Sequence, residues 1–406
     1  MKIWFVSIFE NTPIDDNQNT RYNSLVLEAT KRSHEVVFWA STFQHNIKKQ
    51  RFESYKEVLI NKNVKVNFVP ANAYFKNISF KRMYSHFQLS KSLINCFKKE
   101  QVLPDVIVIA FPPISTSYEV IKWAKQHSIP VIVDIIDPWP DVFMKHMKGL
   151  KKQLIQVGIF PLQKKTNYVF NQAQAIIAIS KQYIDWAKNY NPKKISSAYF
   201  YPAVQFDEMK SQLKIAATKI QKNKEELVVI YAGSLGHSYD INTILKAASI
   251  LESQDGIKFT IAGDGPQKSS VEKYIKNHSN LIYLGRVDKE KLMEEYYRAD
   301  IGLTQHINGA TQSVTYKLFD LLGSGLPIMN SLESEMKNII IDNQVGFHNI
   351  PGDANQLVEN ILQCYNDRTL LSKMKANALE LTSTQGDAAL VYGKALDFIE
   401  SQVKKH

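Results

Sequence analysis

Apolar positions in the first half of the chain fall into short β-rich runs separated by longer helical patterns: residues 2–9, then 21–33, 35–39, a basic stretch, and 64–69. Alternation of this kind predicts a parallel sheet wrapped by helices. It continues through 106–110, a helix over about 115–126, the strand 131–135, and 175–179 ahead of another helix. After a polar, Lys-rich helix at about 207–224 the pattern starts again, with strands at 227–231, 258–262, 281–284 and 301–304 and helices at about 241–253, 267–277 and 289–298. Two successive α/β units of similar size are predicted. The boundary is expected near 201–206, where Tyr201-Pro202 interrupts regular structure.

Size and composition agree with two cores rather than one. At 406 residues, with 44% hydrophobic and 22% charged side chains, the chain has globular proportions. Apolar stretches such as 106–111 and 175–179 fall far below the ~18 residues of a membrane-spanning helix. The opening run, ended by Glu10, reads as a first strand and not as a signal peptide. Cys96 and Cys364 are too far apart in sequence to suggest a framework or a zinc site, and a reducing cytosol is the expected compartment. Charge changes the picture more. Residues 1–200 hold 28 Lys and Arg against 14 Asp and Glu, a net +14, while 201–406 hold 22 against 25, a net −3. The basic first half is expected to meet an anionic partner.

In open parallel sheets ligands bind beyond the carboxyl ends of strands. In the second half, strand 227–231 runs into Ala232-Gly233-Ser234-Leu235-Gly236-His237, a glycine turn that lets N–H groups approach a diphosphate. Gly263-Asp264-Gly265-Pro266 follows the next strand, and Gly285-Arg286-Val287 the one after, where Arg286 offers a charge or a flat guanidinium face. The loop from Gln305 to Gln312 then feeds a short helix expected to hold Ser313, Val314, Thr315 and Lys317 in its first turn, a phosphate cradle of hydroxyls, N–H groups and an ammonium. Asp320, one turn on among leucines, suits a ribose diol.

In the first half, Asp134, Asp137, Pro138, Trp139, Pro140 and Asp141 close strand 131–135 and read as a lined sugar site, with Pro113 walling it and Arg21, at the end of the 16–21 segment, as an anion contact. Residues 142–165, rich in Lys, Phe, Met, Leu and Ile without acids, suit an anionic lipid surface, and 80–99 adds a second basic, aromatic segment. No RNA-binding signature accompanies these charges, and no nucleic-acid partner is expected.

Taken in order, these segments resemble the family-4 glycosyltransferases of the GT-B fold, in particular bacterial polysaccharide-assembly enzymes similar to the N-acetyl-L-fucosamine transferases. The likeness rests on Thr20-Arg21 through Ser33-His34-Glu35-Val36, Pro104-Asp105-Val106 with Phe111-Pro112-Pro113, the 134–141 segment, and Tyr231-Ala232-Gly233-Ser234-Leu235-Gly236. It continues through the Gly-Asp-Gly-Pro turn, Leu284-Gly285-Arg286-Val287, Ala299-Asp300-Ile301-Gly302, and Lys317-Leu318-Phe319-Asp320 with Gly325-Leu326-Pro327. The resemblance implies two Rossmann-like domains facing a cleft: an acceptor domain over 1–204, a nucleotide-sugar domain over 205–386, and a last helix within 387–406 crossing back. It implies diphosphate binding at 233–236 and 313–317, the base near Arg286 and Val287, and the ribose at Asp320. The family's Glu-(seven residues)-Glu pattern falls on Gln312 and Asp320, and the Arg and Lys that relatives carry after the glycine turn are Ser234 and Ser238 or Tyr239 here. Lys317, Arg286, Lys268 and His237 are therefore the candidates to neutralise the leaving diphosphate.

The implied reaction is retaining sugar transfer, probing UDP-sugars first, to a glycan or polyprenyl-diphosphate-linked acceptor in capsule, O-antigen or exopolysaccharide synthesis, by a protein peripheral on the inner face of the cell membrane. No Asp-x-Asp metal motif is present, so no cofactor and no metal is expected; Lys317, Gln312 and Asp137 are expected to carry catalysis, with Asp137 orienting the acceptor hydroxyl. A sugar-nucleotide 2-epimerase on the same fold and a non-catalytic membrane-docking scaffold are the rival readings.

Overall fold

The computed structural model describes residues 1–15, 20–76, 79–144, 149–191, 195–223 and 225–404, and divides them into two units, Met1–Tyr201 with Val391–His406, and Pro202–Leu390. The first unit carries strands β1 (Lys2–Val6), β2 (Glu35–Ser41), β3 (Phe43–Gln44), β4 (Lys49–Gln50), β5 (Lys56–Asn61), β6 (Val64–Val69), β7 (Val106–Phe111), β8 (Val131–Ile135), β9 (Ala175–Ala178) and β10 (Ser196–Tyr199). Eight of them form one sheet in the order β10-β9-β8-β7-β1-β2-β6-β5. All its pairings are parallel except β5 with β6.

Near-continuous apolar strands such as β1 and β7 follow from burial on both faces of a parallel sheet. Trp4 of β1 anchors one face, edge-on to Trp39 at 5.3 Å, 4.7 Å from Phe97 and stacked on Trp123 at 5.9 Å. Sequence patterning missed β3, β4 and β5, which lie inside the basic stretch. β5 is an outer strand exposed along most of its length, so it has no buried face to impose alternation.

The second unit carries β11 (Leu227–Ala232), β12 (Ile257–Ala262), β13 (Leu281–Gly285), β14 (Ile301–Thr304), β15 (Ile328–Asn330) and β16 (Gly346–His348) in the all-parallel order β13-β12-β11-β14-β15-β16. Helix Ala388–Val403 runs across the division, and from Val391 onward its residues pack in the first unit. There Arg32 donates to Asp397 at 2.6 Å, Glu400 at 3.1 Å and the Gly393 carbonyl at 2.9 Å. No described helix is long and apolar enough to cross a membrane.

Candidate functional site

In the second unit, the turns after β11, β12 and β13 are locked backbone to backbone. Gly233 N donates to Ala262 O at 2.8 Å, Gly263 N to Gly285 O at 2.7 Å, and Leu235 N to Asp264 O at 2.9 Å. A β-carbon on Gly263 would stand 1.8 Å from the Gly233 carbonyl oxygen. Gly263, expected at the donor, thus supports the neighbouring glycine turn from behind. Leu235 is fully buried, its side chain belongs to the core, and its backbone is engaged as well, the carbonyl accepting from Gln267 N at 3.1 Å. Gly236 O accepts from Gln267 Nε2 at 2.7 Å, while Ser234 and His237 are exposed.

Lys317 is the cation these turns enclose. Its Nζ donates to Tyr231 Oη at 2.9 Å and lies 4.0 Å from the ring centres of both Tyr231 and Tyr239. Tyr231 passes the contact on, donating to the Ser234 carbonyl at 2.6 Å. Burial pulls the Lys317 ammonium down to about 7, against the restoring charge of Asp320. Burial likewise pushes the Asp320 carboxyl up to about 7, opposed by Lys317 and Lys289. The other candidates differ. Lys268 pairs with Glu272 at 3.6 Å on an open surface, and Arg286 is exposed beyond β13 with Val287 half-buried beside it.

The helix starts later than the sequence suggested. It spans Lys317–Gly323, so Ser313, Val314 and Thr315 lie before it and not in its first turn. Val314 is buried, so its apolar side chain packs in the core, and the half-buried Thr315 hydroxyl is directed at Met336 Sδ, 3.7 Å away. Ser313 keeps the expected chemistry: its hydroxyl is buried with no hydrogen-bond partner among the described residues. Gln312 Oε1 is in the same condition, while its Nε2 donates to Ser238 Oγ at 3.2 Å. His306, overlooked as a site residue, is fully buried against Tyr239 with ring centres 4.9 Å apart. Its Nδ1 faces Thr304 O at 3.2 Å and its Nε2 has no partner among the described residues. Burial and the Lys317 charge hold the imidazole down at about 4, so it is neutral. Gln312 Oε1, Ser313 Oγ and His306 Nε2 are thus three buried polar atoms without partners among the described residues, and His306 also feels the Lys317 charge.

The first unit corrects several expectations. Arg21 is not a free anion contact: it is fully buried, donates through Nε and Nη2 to Asp134 at 2.7 and 3.0 Å, and gives Nη1 to the Phe200 carbonyl at 2.7 Å. Asp134 is correspondingly part of the core. Asp141 accepts from Gln163 Nε2, Trp186 Nε1 and Tyr190 Oη, which ties both its oxygens to structural partners. Pro113 is buried, and its carbonyl receives the Ser117 amide and hydroxyl at the start of helix Ile114–Gln126. Asp16 of the 16–21 segment, and Lys145, Met147 and Lys148 of the 142–165 segment, lie outside the described residues. Asp137 and Trp139 remain available. Asp137 opens to solvent in a crowded setting that pushes its carboxyl up to about 6, against the pull of Arg82, whose guanidinium carbon is 4.9 Å from the Trp139 ring centre.

Residues 214–381 match the family described as Glycosyl transferases group 1. Sucrose-phosphate synthase from Thermosynechococcus elongatus superposes with a TM-score of 0.75 at 14% identity, over 98% of this chain and 99% of that one. HepE of Anabaena in complex with UDP does so at 0.68 and 13%, over 99% and 100%. The fold is GT-B. Within this GT-B chain the family match is confined to residues 214–381, less than half of its length. A curated relative, chitobiosyldiphosphodolichol beta-mannosyltransferase of Candida glabrata, is 22% identical over 226 residues, covering 49% of each protein. The chain thus matches about half the length of that relative. Sequence reading named Lys317 as a candidate and did not place the Tyr231 and Tyr239 rings against it, because strand β11 and the turn after it lie far before Lys317 in the chain, Tyr231 by 86 residues.

Proposed function

We propose that the protein is a retaining glycosyltransferase that moves a hexosyl group from a UDP-sugar to a hydroxyl of a lipid-linked or glycan acceptor during assembly of a bacterial surface polysaccharide, as the N-acetyl-L-fucosamine transferase-like enzymes do. The observation that carries this reading is the enclosed Lys317 ammonium against the Gly233 turn, with Gln312 Oε1 and Ser313 Oγ buried and unpartnered nearby in sequence. A diphosphate supplies the negative charge and acceptor oxygens such a site lacks. The Anabaena neighbour was solved with UDP, and the Candida relative's name gives it a dolichol-diphosphate-linked acceptor.

In the proposed reaction the bond between the anomeric carbon and the diphosphate oxygen breaks, and Lys317 together with the backbone N–H groups of Ser234 and Gly236 stabilises the departing charge. The acceptor oxygen bonds to the same face of that carbon, and its proton passes to the leaving phosphate. Asp137 orients the acceptor hydroxyl. Asp320 takes the ribose diol, and Arg286 with Val287 the base. Lys317 takes the role a divalent ion has in other transferases, and we propose turnover without metal or cofactor.

We also propose that the basic first unit docks on the cytoplasmic face of an anionic membrane. Helix Phe80–Phe97 supports this with a row of exposed Phe80, Met83, Tyr84 and Phe87 beside Lys81 and Lys91, the Lys91 ammonium lying 4.3 Å from the Phe87 ring centre. In the 142–165 segment Ile159 is buried, while Val157 and Phe160 are exposed, Phe160 beneath Lys164.

The deciding experiment is a melting-temperature screen of purified protein against nucleotide sugars, followed by transfer of each stabilising sugar to membrane extract, with and without chelator, and proton NMR of the product anomer. Stabilisation and retained-configuration product are expected. Epimerised donor in the absence of acceptor would instead identify an isomerase, and no donor-dependent stabilisation would leave only a scaffold.

A further inference from the structure

The turn after β11 carries no lysine or arginine between Ala232 and Asp240, and the ammonium that lies against it is brought by Lys317. What the turn and its strand supply is a pair of rings. The ring centres of Tyr231 and Tyr239 are 6.1 Å apart with their planes inclined at 69°, and Lys317 Nζ stands 4.0 Å from each. The cation thus sits in the angle between two aromatic faces, whose quadrupoles attract it. Burial raises the affinity of both phenols for their protons, so neither ring brings a negative charge. Asp320, on the same helix as Lys317, is the acid in its field, and Asp320 is itself faced by Lys289 and Tyr296.

Tyr239 is fixed from three directions. Its own N–H closes the turn onto Gly236 O at 3.0 Å, and Gln267 Nε2 donates to both Gly236 O and Tyr239 O, at 2.7 and 2.9 Å. On its flanks, Asp240 N donates to Gln305 O at 3.1 Å and Ile307 N to Ser238 O at 3.2 Å, which pairs Tyr239 with His306 in an antiparallel bridge. From behind, the His306 ring packs on the Tyr239 ring. That imidazole is neutral, so it supports the ring without adding a second charge. A side chain held this closely has one place for its π face, and Lys317 occupies it.

We infer that Tyr239 is a positioning residue: its ring, fixed by Gln267 and by the bridge to His306, holds the Lys317 ammonium over the Gly233 turn, where the ammonium meets the donor diphosphate. The inference rests on the proposed donor site and adds to it a neutral cradle for its cation. A carboxylate in the place of Tyr239 would take the N–H groups of Lys317 and compete with phosphate for them. A ring face attracts the charge and leaves those N–H groups to the ligand.

The test is UDP binding by titration calorimetry from pH 6 to 9. Tyr239→Leu keeps an apolar side chain and loses the π face. It weakens UDP binding roughly tenfold at pH 7, the scale of one desolvated cation–π contact. It also moves the fall in affinity with rising pH toward lower pH, because the amine has lost a group that favours its charged form. Tyr239→Phe returns the ring and recovers both the affinity and the profile. A merely structural role would weaken binding by one factor at every pH. Should Tyr239→Leu fail to fold, 3,4,5-trifluorophenylalanine installed at position 239 carries the test against Tyr239→Phe: the fluorines withdraw negative charge from the ring face with little change of shape, and UDP affinity falls. Unchanged affinity in whichever of these variants folds, or a loss that is the same at every pH, overturns the cradle. Failure of UDP to bind the unaltered protein counts against the donor reading instead. The cradle is then judged on Lys317 alone, by acetic anhydride labelling across pH read by mass spectrometry. Labelling that moves to lower pH in Tyr239→Leu upholds it, and an unmoved profile overturns it.

Discussion

The ammonium of Lys317 lies 2.8 Å, and its Cε 2.5 Å, from the point where a β-carbon on residue 233 would stand. Gly233 and Lys317 are thus a matched pair, since the backbone can approach the cation only where there is no side chain. The φ of +141° at Gly233 adds a second demand for glycine. Gly233→Ala is expected to displace Lys317 and to lower turnover by about two orders of magnitude, as Lys317→Ala does, the scale of one lost charge-stabilising group. Steady-state kinetics at saturating donor measure both, and full turnover in either variant removes this pair from the chemistry.

Lys317 and Asp320 give the ligand-free protein an unusual pH response. An amine at about 7 when folded, against 10.5 ordinarily, binds fewer protons than the unfolded chain between those values, so its contribution makes the fold more stable as pH rises from 7 to 10.5. A carboxyl at about 7 against 3.8 binds more protons than the unfolded chain, so its contribution falls as pH rises from about 4 to 7. The pair therefore produces a dip in stability near pH 7, seen as the difference in melting temperature between the protein and a Lys317→Met/Asp320→Asn variant across pH 5–9.

A bound diphosphate calls for the charged amine. UDP affinity is expected to weaken from pH 7 to 9, with proton uptake on binding that titration calorimetry in buffers of different ionisation enthalpy detects. Lys317→Arg flattens the profile, because a guanidinium stays charged throughout.

Arg21 and Asp134 are a structural pair. Arg21→Met leaves Asp134 buried and unpaired and is expected to cost about 3–5 kcal/mol in urea unfolding. Arg21→Met/Asp134→Leu recovers much of that loss. Acceptor KM is unchanged in the folded double variant if neither residue touches substrate.

Membrane docking by helix Phe80–Phe97 predicts that Phe80→Glu/Phe87→Glu reduces co-sedimentation with phosphatidylglycerol vesicles at least roughly tenfold, the loss of two inserted rings plus two new repulsive charges. Melting temperature is expected to hold, since both side chains are exposed. Undiminished co-sedimentation would move the docking surface elsewhere.

Much of this architecture is legible in the residues. The strand at 131–135 and the helix at 289–298 have the bounds their patterning predicts, because burial forces a periodic signal. Legibility ends where contacts join distant positions. Arg21 looks like an available cation after a strand, and nothing local shows that Asp134, 113 residues away, takes it. Thr315 has the right chemistry for phosphate, and nothing local shows that its hydroxyl is directed at Met336, 21 residues on. Lys317 stands out by its place in the loop, whereas the two tyrosine rings against its ammonium, and the burial that lowers its affinity for protons, come together only in three dimensions.

Because the first unit takes a helix from Val391 onward, its core is incomplete until the whole of the second unit has been synthesised. Tyr392, Ala395, Leu396 and Ile399 are buried there, and Arg32 finds its acidic partners on the same helix. The intervening unit can mature during synthesis, while the amino-terminal one must wait for a segment made after it. A fragment of the first two hundred codons would therefore have an open hydrophobic seam, and a free-standing version needs the helical residues from 391 onward supplied as well.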